Sequence, residues 1–403
     1  MRLLLASNAS YDPPRGGSTR SNLAWVRRLA AAGHACTVAA SSVNAERRFS
    51  EQNGIRIHSI PSLSLHAGEL GRLIRQEQPD WVLVSSEDLS HTLLREAART
   101  APGRLVYLAH TPQFLPFGPE SWHSDPPAAE IVRQAAAVIV IGRHMAGYVR
   151  EHLGRDAAVV HPPIYGQPPW PELADFSRKC VLMINPCAAK GISIFLELAH
   201  LFPHVRFEAL RGWGTTPEDE AAIAALPNAA LLESVPDIED ALRRCSVLLM
   251  PSLWYEGFGL IVMEAMLRAI PVIASDSGGL LEAKRGTGYV IPVRPVQGYR
   301  MEFDAAHMPR PILPPQEIGP WAAALRRLLE DEEEYRAESA RSRRAAVQFV
   351  SSVDPDAFGR LLEALPCPAE PIRQAAPAAE AKPLDEARRA LLLRELQKRR
   401  RPQ

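Results

Sequence analysis

Pro251-Ser-Leu-Trp-Tyr-Glu-Gly-Phe-Gly-Leu-Ile-Val-Met-Glu-Ala-Met266 leaves the apolar run Val247–Met250 and enters a second apolar stretch of helical character. Gly257 and Gly259 resist helix, so the helix is expected to begin near Gly259 or Leu260, with its first amides unpaired. Unpaired N–H groups at the positive end of a helix, with no side chains at the two glycines to obstruct approach, suit a phosphate or diphosphate. Glu264 lies about one turn into the helix, where a carboxylate can accept two hydrogen bonds from a vicinal diol such as ribose. Glu256 lies before the helix, in the loop, so the two carboxylates need not face each other as an acid/base pair.

This strand–turn–helix unit sits in a repeating pattern. Upstream, Arg2–Ser7, Ala35–Ala39, Trp81–Ser85, Leu105–Ala109, Ala137–Ile141 and Ala157–His161 read as strands too apolar to leave a face in water, with amphipathic helices between them. Pro162, Pro163, Pro168, Pro169 and Pro171 then exclude both helix interior and central strand. The alternation restarts with strands at Val181–Ile184, Arg206–Ala209, Ala230–Leu232, Val247–Met250, Pro271–Ala274 and Tyr289–Ile291, and Pro320–Phe349 reads as one long helix. The expected organisation is a Rossmann-like domain over 1–162, a Pro-rich linker over 163–177, and a second Rossmann-like domain over 178–366 that ends in the long helix. A flexible basic tail over 367–403 follows, with a short amphipathic helix. The fold class is α/β, two parallel-sheet domains facing a cleft, and ligands of such sheets sit beyond the carboxyl ends of the strands.

Composition excludes several function classes. The chain has 403 residues and equal numbers of basic and acidic side chains, 46 each, so no global field draws it onto nucleic acid. The five cysteines form no C-x-x-C pair and no disulfide framework, which points to a reducing cytoplasm. The longest apolar runs fall far short of the ~20 residues that span a bilayer. Proline, 36 residues, is in excess and falls at joints. In 368–403 nine Lys/Arg against five Asp/Glu leave the tail at +4 and the remainder at −4. Within it, Leu384–Leu396 followed by Lys398-Arg-Arg-Arg401 leaves docking to a protein partner and peripheral contact with anionic lipid open. No Walker motif, H-E-x-x-H or cysteine pair is present, and Asp354-Pro-Asp356 reads as a turn, so no metal and no cofactor is expected.

Glu256-Gly-Phe-Gly-x4-Glu264-Ala-Met, together with Pro271-Val-Ile-Ala-Ser-Asp-Ser-Gly-Gly-Leu-Leu-Glu282, resembles the donor site of retaining family 4 glycosyltransferases of the GT-B fold. The resemblance extends to Gly16-Gly17, Gly33-His34, His110 and Lys190-Gly191, and so over most of residues 1–295. It implies transfer of a sugar, with retention and without a metal, from a nucleoside-diphosphate sugar to an acceptor hydroxyl, in glycan or specialised metabolism. Glu264 would bind the ribose and Glu256 hydroxyls of the donor sugar, while Phe258, Gly259 and Leu260 would offer backbone N–H groups beside Gly257. Lys190 would neutralise the departing diphosphate, His110 would lie near the anomeric carbon, and Gly16 and Gly17 would close over the phosphates. The family has an arginine where this chain has Asn185, and Arg211 is the candidate to supply the missing charge. The tail is also similar to short Leu/Arg segments of nonribosomal-peptide and polyketide assembly proteins. Two alternatives share the architecture: a nucleotide-sugar isomerase that needs no acceptor, and a non-catalytic nucleotide-sugar-binding adaptor.

Overall fold

The computed structural model describes residues 1–14, 16–42, 46–306 and 308–373. The tail segments at 384–396 and 398–401 lie outside these described residues.

The first domain is an eight-stranded sheet in the order β3-β4-β2-β1-β5-β6-β7-β8. Its strands are β1 (Arg2–Ser7), β2 (Ala35–Ser42), β3 (Arg48–Gln52), β4 (Ile55–Pro61), β5 (Trp81–Ser85), β6 (Leu105–Ala109), β7 (Ala137–Val140) and β8 (Ala158–Val159). All neighbours are parallel except β3 and β4. Helices α1 (Gly17–Ala31), α2 (Ala67–Glu77), α3 (Thr92–Thr100), α4 (Pro126–Gln134) and α5 (Arg143–Leu153) connect the strands and cover both faces. The central strands β5, β6 and β7 are buried along their whole length, as their unbroken apolar sequences require.

The second domain has six parallel strands in the order β11-β10-β9-β12-β13-β14: β9 (Cys180–Ile184), β10 (Arg206–Leu210), β11 (Ala229–Leu232), β12 (Val247–Met250), β13 (Val272–Ser275) and β14 (Val290–Ile291). Helices α6 (Ile192–Leu201), α7 (Pro217–Ala224), α8 (Ile238–Leu242), α9 (Leu260–Leu267) and α10 (Leu280–Lys284) accompany them. An antiparallel hairpin, β15 (Gly298–Phe303) and β16 (Pro309–Ile312), stands apart from both sheets.

The long helix expected over Pro320–Phe349 is two helices, α11 (Ile318–Glu330) and α12 (Glu332–Ser352). Asp331 is extended there, and its carboxylate accepts the N–H of Glu334, so the residue ends one helix and caps the next. The chain then returns to the first domain. In α13 (Ala357–Ala364) Phe358 stacks on Trp25 at 4.7 Å, and the carbonyl of Leu362 accepts the indole N–H of Trp81. Residues 367–373 continue along the same face: Arg104 donates to the carbonyls of Pro368 and Glu370, and Gln78 exchanges two hydrogen bonds with Ile372. The stretches 357–366 and 367–373, expected in the second domain and a free tail, thus pack on the first domain.

Candidate active site

The cleft is built where the strand-to-helix turns of the two sheets meet. On the second domain, α9 is buried from Val262 to Leu267, with Leu260 and Ile261 half-buried, and it follows Gly259, whose φ of 102° favours glycine. No side chain caps it, and its backbone ladder starts with the N–H groups of Val262 and Met263 on the Gly259 carbonyl. The N–H groups of Leu260 and Ile261 are therefore left without an acceptor within the helix. The preceding loop is fastened to the next strand-to-helix turn: Ser275 donates to the Ser252 carbonyl, Ser277 to the Trp254 carbonyl, and Gly279 N–H to the Glu256 carbonyl.

On this loop Glu256 is buried and paired with Lys190 Nζ at 2.5 Å, and the same carboxylate oxygen accepts the Ser252 hydroxyl. Lys190 comes from the short turn Ala188–Lys190 after β9, and its ammonium lies 4.0 Å from the centroid of the Trp254 ring. Glu264, 2% exposed, is gripped by both terminal guanidinium nitrogens of Arg20, the shorter contact being 2.6 Å. Arg20 lies in the first turns of α1, the helix that Gly16 and Gly17 open.

The first domain contributes His110 at the end of β6. Its Nε2 lies 2.8 Å from Asn22 Oδ1, and Asn22 Nδ2 donates to Tyr11 and Ser85. With the Asn22 oxygen placed against Nε2, the matching tautomer carries its proton on Nε2 and leaves the lone pair on Nδ1. That Nδ1 is buried and has no partner. Burial pushes the imidazole below its ordinary 6.5, against the opposing pull of Glu87, which keeps it neutral at pH 7.

The two halves touch directly. A Cβ on Gly257 would lie 2.0 Å from the His110 carbonyl oxygen, and one on Gly17 would lie 3.1 Å from Leu260 Cδ1. Glu282 of α10 accepts the N–H groups of Arg143 and His144, so a second-domain carboxylate sits on the N-terminus of α5. The Phe258 ring is buried, stacked on Phe349 and tilted against His161. Only its backbone is free to serve a ligand.

The structure thus gathers Gly16, Gly17, His110, Lys190, Glu256, Gly257, Gly259, Leu260 and Glu264 around one cleft. Asn185 is nearby but serves the loop: its Oδ1 accepts the N–H of Gly214, and its buried Nδ2 has no partner. Arg211 turns elsewhere, held by Glu220 and Glu233.

Arg20, Asn22, Ser252 and Glu282 were not assigned roles from sequence. The available signal for Arg20 was its place one turn beyond the Gly-Gly loop on the same helix. For Asn22 it was a polar residue on the apolar face of α1, where it is fully buried. Among the described residues, His91, His123 and Asp125 bring possible metal-ligand atoms within 4.8 Å of one another. Asp125 there already accepts from Arg95 and, as N-cap of α4, from the N–H of Ala128.

Comparison with known proteins matches both halves. A family model described as "Glycosyltransferase Family 4" matches residues 15–165, and one described as "Glycosyl transferases group 1" matches residues 178–302. The chain is 42% identical over 65 residues to the alpha-1,3/1,6-mannosyltransferase alg2 of Schizosaccharomyces pombe, covering 16% of this chain and 13% of that protein. It is 33% identical over 123 residues to the D-inositol 3-phosphate glycosyltransferase of Kineococcus radiotolerans, covering 28% of this chain and 23% of the relative. The matched stretches are thus under a quarter of either curated relative.

Whole-chain similarity appears in the folds. The sucrose-phosphate synthase of Thermosynechococcus elongatus superposes with a TM-score of 0.66 at 16% identity, covering 90% of this chain and 97% of the other. HepE of Anabaena, solved in complex with UDP-glucose, gives 0.65 at 16% identity, covering 90% and 98%. Each half of the cleft carries its family's sequence signature on the corresponding fold, and the chain belongs to the GT-B glycosyltransferases, with a family 4 first domain and a group 1 second domain.

Proposed function

We propose that this chain transfers a glycosyl group from a nucleoside-diphosphate sugar to an acceptor hydroxyl, with retention at the anomeric carbon and without a metal. The observation that carries the reading is the Lys190–Glu256 pair at the mouth of α9, with Glu264 one turn further in and the His110 backbone against Gly257 from the other domain. An ammonium, free helix amides and a ribose-binding carboxylate lie in the order that diphosphate and ribose require.

In the free protein Lys190 and Glu256 satisfy each other. A bound donor separates them: the ammonium takes the phosphate oxygens, and the carboxylate accepts sugar hydroxyls. His110 Nδ1, neutral and unpartnered, accepts from a hydroxyl of the same sugar. As the reaction proceeds, the bond between the anomeric carbon and the β-phosphate oxygen breaks, its electron pair leaving with the phosphate. The acceptor oxygen bonds to the anomeric carbon on the same face, and its proton passes to a donor phosphate oxygen. Lys190 and the α9 amides stabilise the negative charge that gathers on the leaving group, so the protein acts mainly by positioning and electrostatics.

HepE, crystallised with UDP-glucose, supports a hexose donor of this class. All five cysteines are free and four are buried, in keeping with work in a reducing cytoplasm. Among the described residues no helix is long and apolar enough to cross a membrane.

Incubating the chain with a panel of nucleoside-diphosphate sugars in EDTA, with and without a panel of alcohol and sugar acceptors, and following products by proton NMR, tests the proposal. The expected products are nucleoside diphosphate and a glycoside or free sugar whose first-formed anomer matches the donor. A rearranged nucleotide sugar without release of nucleoside diphosphate would indicate an isomerase. Binding with no turnover would indicate an adaptor, and silence after EDTA alone would remove metal independence.

A further inference from the structure

Position 185 is a neutral asparagine where the resemblance implies an arginine, which leaves Lys190 without a second cation beside it. A diphosphate carries more than one negative charge, and Lys190 supplies one positive charge. Asn185 is neutral and spends its oxygen on Gly214, while Arg211 is neutralised by Glu220 and Glu233. Arg20, by contrast, enters the cleft from the first domain and ends on Glu264.

The geometry brings Arg20 close to where a diphosphate would lie. Its backbone N–H bonds the Gly16 carbonyl, so its base is tied to the glycine loop. That loop abuts Leu260, the first residue of α9, with Gly17 in near contact with the leucine side chain. Glu264 is four residues beyond Leu260, about 6 Å along the helix axis. The guanidinium is therefore about one helical turn from the free amides of Leu260 and Ile261, and a flexible side chain spans that distance by rotation. Ribose hydroxyls and Arg20 compete for one carboxylate, so a nucleotide that takes Glu264 sets the guanidinium free next to the phosphates.

We infer that Arg20 is a diphosphate-binding residue: it covers Glu264 in the free protein and moves onto the donor's phosphates when ribose displaces it, replacing the arginine absent at position 185. The inference rests on the donor-site reading given above. It makes the second cation of the site a first-domain residue, so the diphosphate itself draws the two domains together.

Charge-assisted bonds to phosphate and release of a competed carboxylate have opposite effects, which gives a test with a sign. UDP, GDP and ADP, with uridine, guanosine and adenosine as the matching nucleosides, are titrated calorimetrically into the full chain and into its Arg20→Ala and Arg20→Gln variants, each checked for folding by thermal melting. For the preferred base, both variants are expected to bind the diphosphate at least tenfold more weakly and the nucleoside equally well or more tightly. Tighter binding of both ligands would make Arg20 only an occupant of Glu264, and equal weakening of both would make it a structural support; either overturns the inference while leaving the donor site standing. If the unaltered chain binds none of the three diphosphates, the donor-site reading falls and this inference with it.

Discussion

Lys190 Nζ and Glu256 Oε1 lie 2.5 Å apart in a buried contact, joining the turn after β9 to the loop before α9. Each is the other's principal countercharge, so the site is held ready by groups that must part when the donor arrives. Breaking a buried pair from one side strands a charge, which costs more than the pair itself contributes.

Lys190→Ala is therefore expected to lower kcat/KM for the donor by about 1.5–3 kcal/mol of transition-state stabilisation, roughly ten- to a hundredfold. It should also lower Tm, because Glu256 keeps only Ser252 as a side-chain partner. Adding Glu256→Gln to the variant should recover much of the Tm and none of the activity. Thermal melts and steady-state kinetics on both variants check this.

Gly257→Ala places a methyl group 2.0 Å from the His110 carbonyl, a contact between the two domains rather than within one core. Closure is expected to suffer while each domain keeps its packing: kcat/KM falls at least tenfold and Tm changes little. A large loss of Tm with unimpaired kinetics would contradict the placement of this glycine at the closing interface.

The imidazole of His110 is neutral because burial holds it below 6.5. A base depressed in the fold contributes stability that is present above its unfolded value and is lost as pH falls through its folded one. Activity and Tm should both decline as the solution is acidified below 6.5. Asn22→Asp puts an anion against Nε2 and is expected to move the acid limb of the rate profile upward by about one pH unit. An unmoved limb would show that another group governs it.

Lys284 is buried against the Val272 carbonyl and near Glu338, and burial holds its ammonium down to about 8 from an ordinary 10.5, the opposing pull of Glu338 being smaller. Between those values the unfolded chain holds the proton more firmly than the folded one, so this group raises stability as pH increases through that window. The difference in Tm between the unaltered chain and Lys284→Met should therefore shift in favour of the lysine by on the order of a few degrees from pH 8 to pH 10.

Much of the fold was legible because central parallel strands are buried on both faces and read as unbroken apolar runs; each of the twelve strands expected from sequence appears at its place, ten of them within one residue at either end, while β2 runs three residues further and β8 stops two residues earlier. Four strands were not foreseen. β3 is Arg-Phe-Ser-Glu-Gln at the sheet edge and is mostly exposed, and β4 alternates, with Ile55 and Ile57 buried on one face and Arg56 and His58 half-buried on the other. In the β15–β16 hairpin, the run Pro-Arg-Pro-Ile looks like a joint, because proline is excluded from central strands but tolerated at edges.

The site shows the same division. Glycines, carboxylates and Lys190 on strand-to-helix turns announce themselves by residue type and order. Arg20 and Asn22 lie within a helix whose sequence is amphipathic in the ordinary way, and only the meeting of two domains distant in sequence gives them partners such as Glu264 and His110.

The central claim is that Lys190, Glu256 and Glu264 hold and activate a nucleoside-diphosphate sugar. Its most direct measurement is the rate of nucleoside-diphosphate release from the panel of nucleotide sugars by the unaltered chain and by folded Lys190→Ala and Glu264→Ala variants. The account predicts release from at least one donor by the unaltered chain, slowed about ten- to a hundredfold in each variant. Release at the same rate in both variants, or no release from any donor by the unaltered chain, would contradict it.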